Sequence, residues 1–377
     1  MTRHYLDHAS TTPLRARARA AMVEALDRLH GDPGRIHQEG MAARAAVEEA
    51  REQVAALVGA RPREVVFTSG ATEAIAAAIW GASERGSHQV VPAVEHSAVR
   101  ACAERAGRVT FVEVDRTGRV DPDAVMAAVD DDTACVHVQW GNHEVATVQP
   151  VAEIVAACRE RGVLVHVDAA QAVGHVPVAF DELGADLMSI SAHKFGGPLG
   201  MGALLVRRGL RLRPLLLGSD QERARRAGLE NVPAIVGFGA ACAELCEGDT
   251  LAREEDVARS RTQRVLDGVA GIEGVQVYGN QEHRLPHLVC LGFADVEPQA
   301  VLLGLDRAGV AVHSGSACAS ESLEPSPVLA AMGVDAHRSL RVSVGWSTTD
   351  DDIDAFCAAL PDVLATLRAY RAGAASR

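Results

Sequence analysis

Leu187-Met188-Ser189-Ile190-Ser191-Ala192-His193-Lys194 is the stretch from which the rest of the chain is best read. Four strand-length residues run into a small polar turn that ends on a lysine. That lysine stands alone. Of the 37 basic residues, 36 are arginine and only Lys194 is lysine. Arginine serves wherever a cation or a solvated surface is wanted, but its guanidinium stays protonated and forms no Schiff base. A chain that has otherwise dispensed with lysine therefore points to Lys194 as a residue kept for its amine.

Other short apolar runs end in the same manner. Val65–Phe67 leads into Thr68-Ser69-Gly70-Ala71-Thr72-Glu73, and Gln89–Ala93 into Glu95-His96-Ser97. Ala134–Gln139 leads into Asn142-His143-Glu144, and Val163–Val167 into Asp168-Ala169-Ala170-Gln171. Val109–Val114 and Ala203–Val206 complete a set of seven strand-like runs. Helical periodicity falls at Leu14–Leu29, Gly40–Val58, Ala71–Ile79 and Val151–Glu160. Interleaving of this kind predicts an α/β domain with a mostly parallel, buried seven-stranded sheet. From about residue 250 the rhythm changes. Val275–Tyr278, Leu288–Phe293, Val310–Val312 and Leu340–Val344 read as strands before a long helix at Asp351–Tyr370. At roughly 150 residues per domain, 377 residues suit two domains. We expect a large domain over 14–250 and a smaller α/β domain from 1–13 and 251–377, packed around a shared cleft since no linker separates them.

Composition excludes several classes. The formal net charge of −13 repels nucleic acid and anionic membrane, and only 3 % of residues are aromatic, too few for base-stacking platforms. No apolar run approaches the length of a membrane span, and the N-terminus lacks a signal-peptide core. The eight cysteines are scattered, with no C-x-x-C pair, so neither a zinc site nor a disulfide framework is expected. Cys242 and Cys246 read as buried small hydrophobes, and the setting as cytoplasmic and reducing.

In a parallel sheet, ligands bind at the carboxyl ends of the strands. An amine (Lys194), a carboxylate (Asp168), an imidazole (His96) and a hydroxyl-rich helix start (Ser69 to Thr72) converge there. Pyridoxal phosphate needs this combination: a lysine for its aldehyde, an acid for its pyridine nitrogen, and hydroxyls and amide N–H groups for its phosphate. The start at Ser69 is not a P-loop, because the G-x-x-x-x-G-K spacing is missing. Cys318 lies among small polar residues, Ser314-Gly315-Ser316-Ala317-Cys318-Ala319-Ser320, which suits an accessible thiol better than a core cysteine.

With these motifs in place, the chain resembles the class V aminotransferase superfamily. Within it, the likeness is to the group I (NifS/IscS-like) cysteine desulfurases. The resemblance runs from Tyr5-Leu6-Asp7 to about Thr349 and rests on 66–73, 165–171, 191–194 and 314–318. It implies a fold-type I pyridoxal-phosphate enzyme, a homodimer, acting on L-cysteine and passing sulfur to an acceptor protein. By the same resemblance, Lys194 would carry the cofactor and shuttle protons, Asp168 would pair with the pyridine nitrogen, and Gln171 would bond the ring hydroxyl. His96 would stack on the ring and act as acid and base. Ala71, Thr72, Ser191 and His193 would bind the cofactor, the last three at its phosphate. Asn142 would touch both cofactor and substrate, Arg341 would take the substrate carboxylate, and Cys318 would receive the sulfur as a persulfide.

Three stretches depart from the family pattern. Gly218-Ser219-Asp220-Gln221-Glu222 replaces a glycine-rich run, and Arg226-Ala227-Gly228-Leu229 lacks the hydroxyl that reaches a partner's phosphate. Asn142-His143-Glu144 replaces Asn-Asn-Glu. Compensation for Leu229 by Arg226 is expected, and Asp220 is expected to disfavour anionic substrates. A related C–S lyase or aminotransferase would share Lys194, Asp168 and His96 without needing Cys318, and a scaffold subunit would keep only the fold. Iron–sulfur clusters, thiolated tRNA, phosphorothioate DNA and sulfur-bearing natural products are all compatible destinations for the sulfur.

Overall fold

The computed structural model describes residues 2–314 and 325–375. Its strands, numbered along the chain, are β1 (His4–Tyr5), β2 (Val65–Thr68), β3 (His88–Pro92), β4 (Arg108–Val112), β5 (Thr133–Gln139) and β6 (Leu164–Asp168), followed by β7 (Leu187–Ser191), β8 (Gly202–Val206), β9 (Val275–Tyr278), β10 (Leu288–Phe293), β11 (Val310–Ala311) and β12 (Ser339–Ser343). Seven of them form one sheet in the order β2-β8-β7-β6-β5-β3-β4. β8 alone runs antiparallel to its neighbours. Strands β2, β3, β6, β7 and β8 are buried along their whole length, which is why they are rich in apolar residues without a polar outer face. The sheet is therefore mostly parallel, as the sequence predicts. Its strands begin and end within two residues of the expected positions, and β4 stops at Val112 rather than Val114.

Helices Ala16–Arg28, Gln38–Leu57 and Val232–Cys246 cover one face of the sheet with a single apolar cluster, in which Val54, Phe67, Phe195 and Phe238 are buried. Gly239 is required there. A Cβ at that position would sit 2.6 Å from the Ala50 backbone, so only glycine lets the two helices approach so closely. Cys242 is buried as expected, but Cys246 is exposed, because the helix ends there and its last turn leaves the core.

A second apolar cluster unites Leu6 with Leu291, Phe293, Leu305, Leu340, Phe356 and Leu360. Antiparallel strands β12-β10-β9 form its sheet, and helices Pro298–Arg307 and Asp350–Ala375 pack on it. β1 pairs with β11, so the first residues of the chain are stitched into its last third. No helix among the described residues is long and apolar enough to cross a membrane.

The departing stretch after Gly218 is fastened by one buried ion pair. Arg51 Nη1 and Nη2 each donate to Glu222 at 2.7 Å, the Phe67 N–H donates to Glu222 Oε2 at 2.9 Å, and the guanidinium lies over the Phe67 ring. Glu222, Arg223 and Ala224 all have positive φ, at 49°, 58° and 61°. Three consecutive left-handed non-glycine residues are costly, so something must hold them, and the Glu222 carboxylate does. Removing one partner of a buried pair leaves a stranded charge. Glu222→Ala is accordingly expected to lower the unfolding free energy in urea by about 3–5 kcal/mol. Glu48→Ala, at the half-exposed edge of the same cluster, should cost less than about 1 kcal/mol.

Candidate active site

A cleft of about 430 Å³ opens at the carboxyl edge of the parallel strands. The structure brings Ala71, Thr72, His96, Asp168, Gln171, Ser191, His193, Lys194 and Arg341 together on its walls. Most come from the last residue of a strand of the large sheet or the few that follow it, where the chain leaves the sheet, whereas Arg341 projects from the middle of β12 in the smaller sheet.

Lys194 closes a short 3₁₀ turn, Ala192–Lys194, at the end of β7. Its amine donates to the carbonyl oxygens of Ala9 and Ser10, at 2.6 and 3.0 Å. Its own carbonyl accepts from Thr12 Oγ1 at 3.1 Å and His175 Nε2 at 3.0 Å. The Thr12 N–H donates to the His193 carbonyl, and Arg15 Nε to the Phe195 carbonyl. Residues 9–15 thus clamp the turn from outside the sheet.

Asp168 ends β6 on the adjacent strand. It is almost fully buried, and its Oδ1 accepts the Ala170 N–H at 3.0 Å. Behind it, at the end of β3, lies Glu95. Burial first, and then the charge of Asp168, push the Glu95 carboxyl well above the usual range. Glu95 Oε1 takes the Gln139 N–H, while Oε2 is buried with no partner. In the sequence, Glu95 is only a polar neighbour of His96 with no local signal of a role. Only the fold shows that it meets Asp168 from behind, where burial and that charge favour its protonated form.

His96 caps helix Ser97–Ala106, its Nδ1 accepting the Ala98 N–H at 3.1 Å. In the neutral ring the proton therefore sits on Nε2. The His143 ring stands edge-on to it, with centroids 5.0 Å apart. At the other end of the cleft, helix Ala71–Ala82 starts at Gly70, where φ is 152° and no side chain caps the first amides. Those amides share the cleft wall with Thr72 and the Ser191–His193 pair, whose Oγ and Nδ1 are 3.1 Å apart, a set of dipoles that could hold an anion. Burial and the Lys194 charge push His193 down to about 4, so this end attracts an anion through dipoles rather than through an imidazolium. Gly202 on β8 keeps the cradle open, for a Cβ there would lie 2.7 Å from Gly70 Cα. An amine on one strand, a carboxylate on the next and uncapped amides beyond them fit a ligand bearing an aldehyde, a basic ring nitrogen and a phosphate.

Several expected residues are placed differently. Asn142 is fully buried and does not line the cleft. Its Nδ2 donates to the Val94 carbonyl, and its Oδ1 accepts the Glu144 and Val145 N–H groups. The amide shapes the turn after β5, behind the residues that line the cleft. Arg341 lines the cleft with its guanidinium already engaged by Asp7, Ser10 and the His143 carbonyl, leaving Nε buried without a partner. Arg226, expected to make up for Leu229, is committed within its own chain to Glu73, at 2.9 Å. Glu73 also takes the Ser69 N–H, so that ion pair steadies the mouth of the anion cradle. Cys318 lies outside the described residues, which contain no group of three or more His, Cys, Asp or Glu able to hold a metal ion.

Glu144, behind His143, accepts the Ser326 hydroxyl at 2.5 Å, and burial pushes its carboxyl up to about 7. Between the ordinary 4.5 and about 7, the folded chain keeps a proton that the unfolded chain gives up. Stability therefore falls as pH rises through that window, by about 3 kcal/mol in all. Glu144→Gln keeps an acceptor for Ser326 but cannot titrate. Urea unfolding at pH 5 and pH 8 is expected to show that difference in the wild type and to lose about 3 kcal/mol of it in the variant.

Comparison with known proteins agrees with this geometry. The family model for Aminotransferase class-V matches residues 4–356. Cysteine desulfurase IscS of Dictyoglomus turgidum is 42 % identical over 375 residues, covering 97 % of this chain and 95 % of that protein. Cysteine desulfurase IscS of Methanosarcina thermophila is 38 % identical, covering 97 % and 92 %. A solved NifS-like protein superposes with a TM-score of 0.91 at 31 % identity, over 97 % of this chain and 100 % of that one. Family, near-complete relatives and fold all coincide: the chain belongs to the class-V aminotransferase family, whose members depend on pyridoxal phosphate.

Proposed function

We propose that this chain is a pyridoxal-phosphate-dependent cysteine desulfurase, which takes sulfur from L-cysteine, leaves alanine, and holds the sulfur as a persulfide on Cys318 for an acceptor protein. The observation that carries the reading is the placement of the chain's one lysine. Lys194 sits beside Asp168 and within the same cleft as an uncapped helix start, an arrangement with little purpose unless an aldehyde-bearing phosphate binds there. When bound, that cofactor supplies an electron sink for the substrate's bonds.

The residues around it divide the remaining work. Lys194 provides the amine to which the cofactor attaches, and Asp168 faces the ring nitrogen. Gln171 donates to the ring hydroxyl. Thr72, Ser191 and His193, with the amides from Ala71 onward, hold the phosphate. His96 moves a proton at Nε2. Arg341 offers its guanidinium to the substrate carboxylate, with Asp7 and Ser10 keeping it in place. Asn142 acts indirectly, through the turn that carries His143. Cys318 is the nucleophile that takes the sulfur. The large domain spans 14–250, and 1–13 with 251–377 form the smaller one. The exposed side chains of Ile36, Leu199, Leu217 and Leu229 support a homodimer that covers them. The absence of a disulfide among the described cysteines suits a reducing compartment.

Hydride reduction of the yellow protein should fix the cofactor on the peptide that contains His193-Lys194-Phe195 and on no other. Lys194→Arg keeps the charge without a usable amine and is expected to cut alanine formation by at least about a thousandfold. Cys318→Ser should still change colour with L-cysteine yet release no sulfide. Full sulfide release from that variant would instead support a C–S lyase.

A further inference from the structure

Gln171 has two neighbours of opposite kind. Its Nε2 lies 2.9 Å from the Ala9 carbonyl oxygen, and its Oε1 lies 3.2 Å from His287 Nε2. A carbonyl oxygen only accepts, so the amide N–H must face Ala9 and the amide oxygen must face His287. His287 therefore carries its proton on Nε2. Its other nitrogen, Nδ1, is buried with no partner. An apolar residue could fill the same space without that loss, so the ring is there for its N–H.

His287 is wholly buried, and its ring lies flat against His175, with centroids 3.6 Å apart and planes 9° off parallel. His175 in turn donates from Nε2 to the Lys194 carbonyl. One ring of the stack holds the backbone of Lys194, and the other holds the amide of Gln171. Burial drives both rings far toward neutrality, His175 to about 3 and His287 well below its usual value, so the stack is a fixed brace and not a pH switch. Gln171 Nε2 has two hydrogens. Ala9 takes one, which leaves the second for another acceptor, and Gln171 is among the residues that line the cleft.

We propose that His287 is a positioning residue that holds the Gln171 amide in the single orientation presenting an N–H, not an oxygen, to a ligand oxygen in the cleft. This rests on the proposal above that Gln171 meets the ring hydroxyl of pyridoxal phosphate. An N–H donated to that oxygen draws charge away from it and weakens its hold on the neighbouring proton. Loss of the donor should raise the pH at which the bound chromophore titrates.

The test is a spectrophotometric pH titration of the cofactor-loaded protein and three variants. Gln171→Leu should raise the midpoint by about one pH unit, the tenfold effect of a lost charge-assisted hydrogen bond. His287→Phe keeps the stack on His175 but removes the N–H, and should raise the midpoint by at least about half as much, with no further rise when combined with Gln171→Leu. His287→Gln returns an N–H near the place of Nε2 and should restore the wild-type midpoint. If Gln171→Leu shifts the midpoint and His287→Phe does not, the inference fails while the role of Gln171 stands. If Gln171→Leu shifts nothing, the role of Gln171 fails and takes the inference with it. Should His287→Phe not fold, ¹⁵N NMR of the wild-type imidazoles decides. His287 must be neutral with its proton on Nε2, and a proton on Nδ1 overturns the proposal.

Discussion

The carbonyl oxygen of Lys194 is the point to which the rest of the cleft is referred. It accepts from Thr12 on one side and His175 on the other, while the amine of the same residue donates to Ala9 and Ser10. A lysine has four rotatable side-chain bonds, and an amine that must meet one aldehyde cannot be left to explore them. Fixing its backbone from two directions and its tip from a third removes that freedom. The clamp residues belong to the first fifteen of the chain, and β1 and Leu6 tie those to β11 and the second apolar cluster. The position of the amine therefore depends on both halves of the molecule being folded and packed.

Charge is used sparingly in and around the cleft. Glu95, His8, His175, His193 and His287 are all driven toward their neutral forms by burial. Arg341 is balanced by Asp7 at 3.0 Å, and Arg226 by Glu73. On the proposed reading, an anionic phosphate would be met by amides, hydroxyls and a neutral imidazole, which are dipoles already in place. A low-dielectric site with preset dipoles needs little reorganisation as charge moves, which is the main electrostatic resource of an enzyme.

Much of the large sheet could be read in advance because buried parallel strands leave a clear pattern: a short, mostly apolar run, then a polar group at the carboxyl end. Ser191 to Lys194 and Asp168 to Gln171 were legible for that reason. What escaped reading depends on contacts distant in sequence. That β8 runs antiparallel is set by the loop returning after Lys194, not by its composition, which matches its parallel neighbours. His287 lies 116 residues from the Gln171 it holds, and Ser326 lies 182 from Glu144. Neither pair has a local signal. Asn142 is a different case. Its family motif was visible, but an Asn that follows a strand can spend its amide on the turn, and here it does so with three backbone partners.

The most direct test of the whole account is a single turnover. The cofactor-loaded protein is mixed with one equivalent of L-cysteine in the absence of reductant and acceptor, then digested and weighed by mass spectrometry. One alanine per chain, with one additional sulfur atom on the peptide that contains Cys318 and on no other cysteine, is the result the account predicts. Sulfide released with no sulfur retained on Cys318, or retained on a different cysteine, would contradict it.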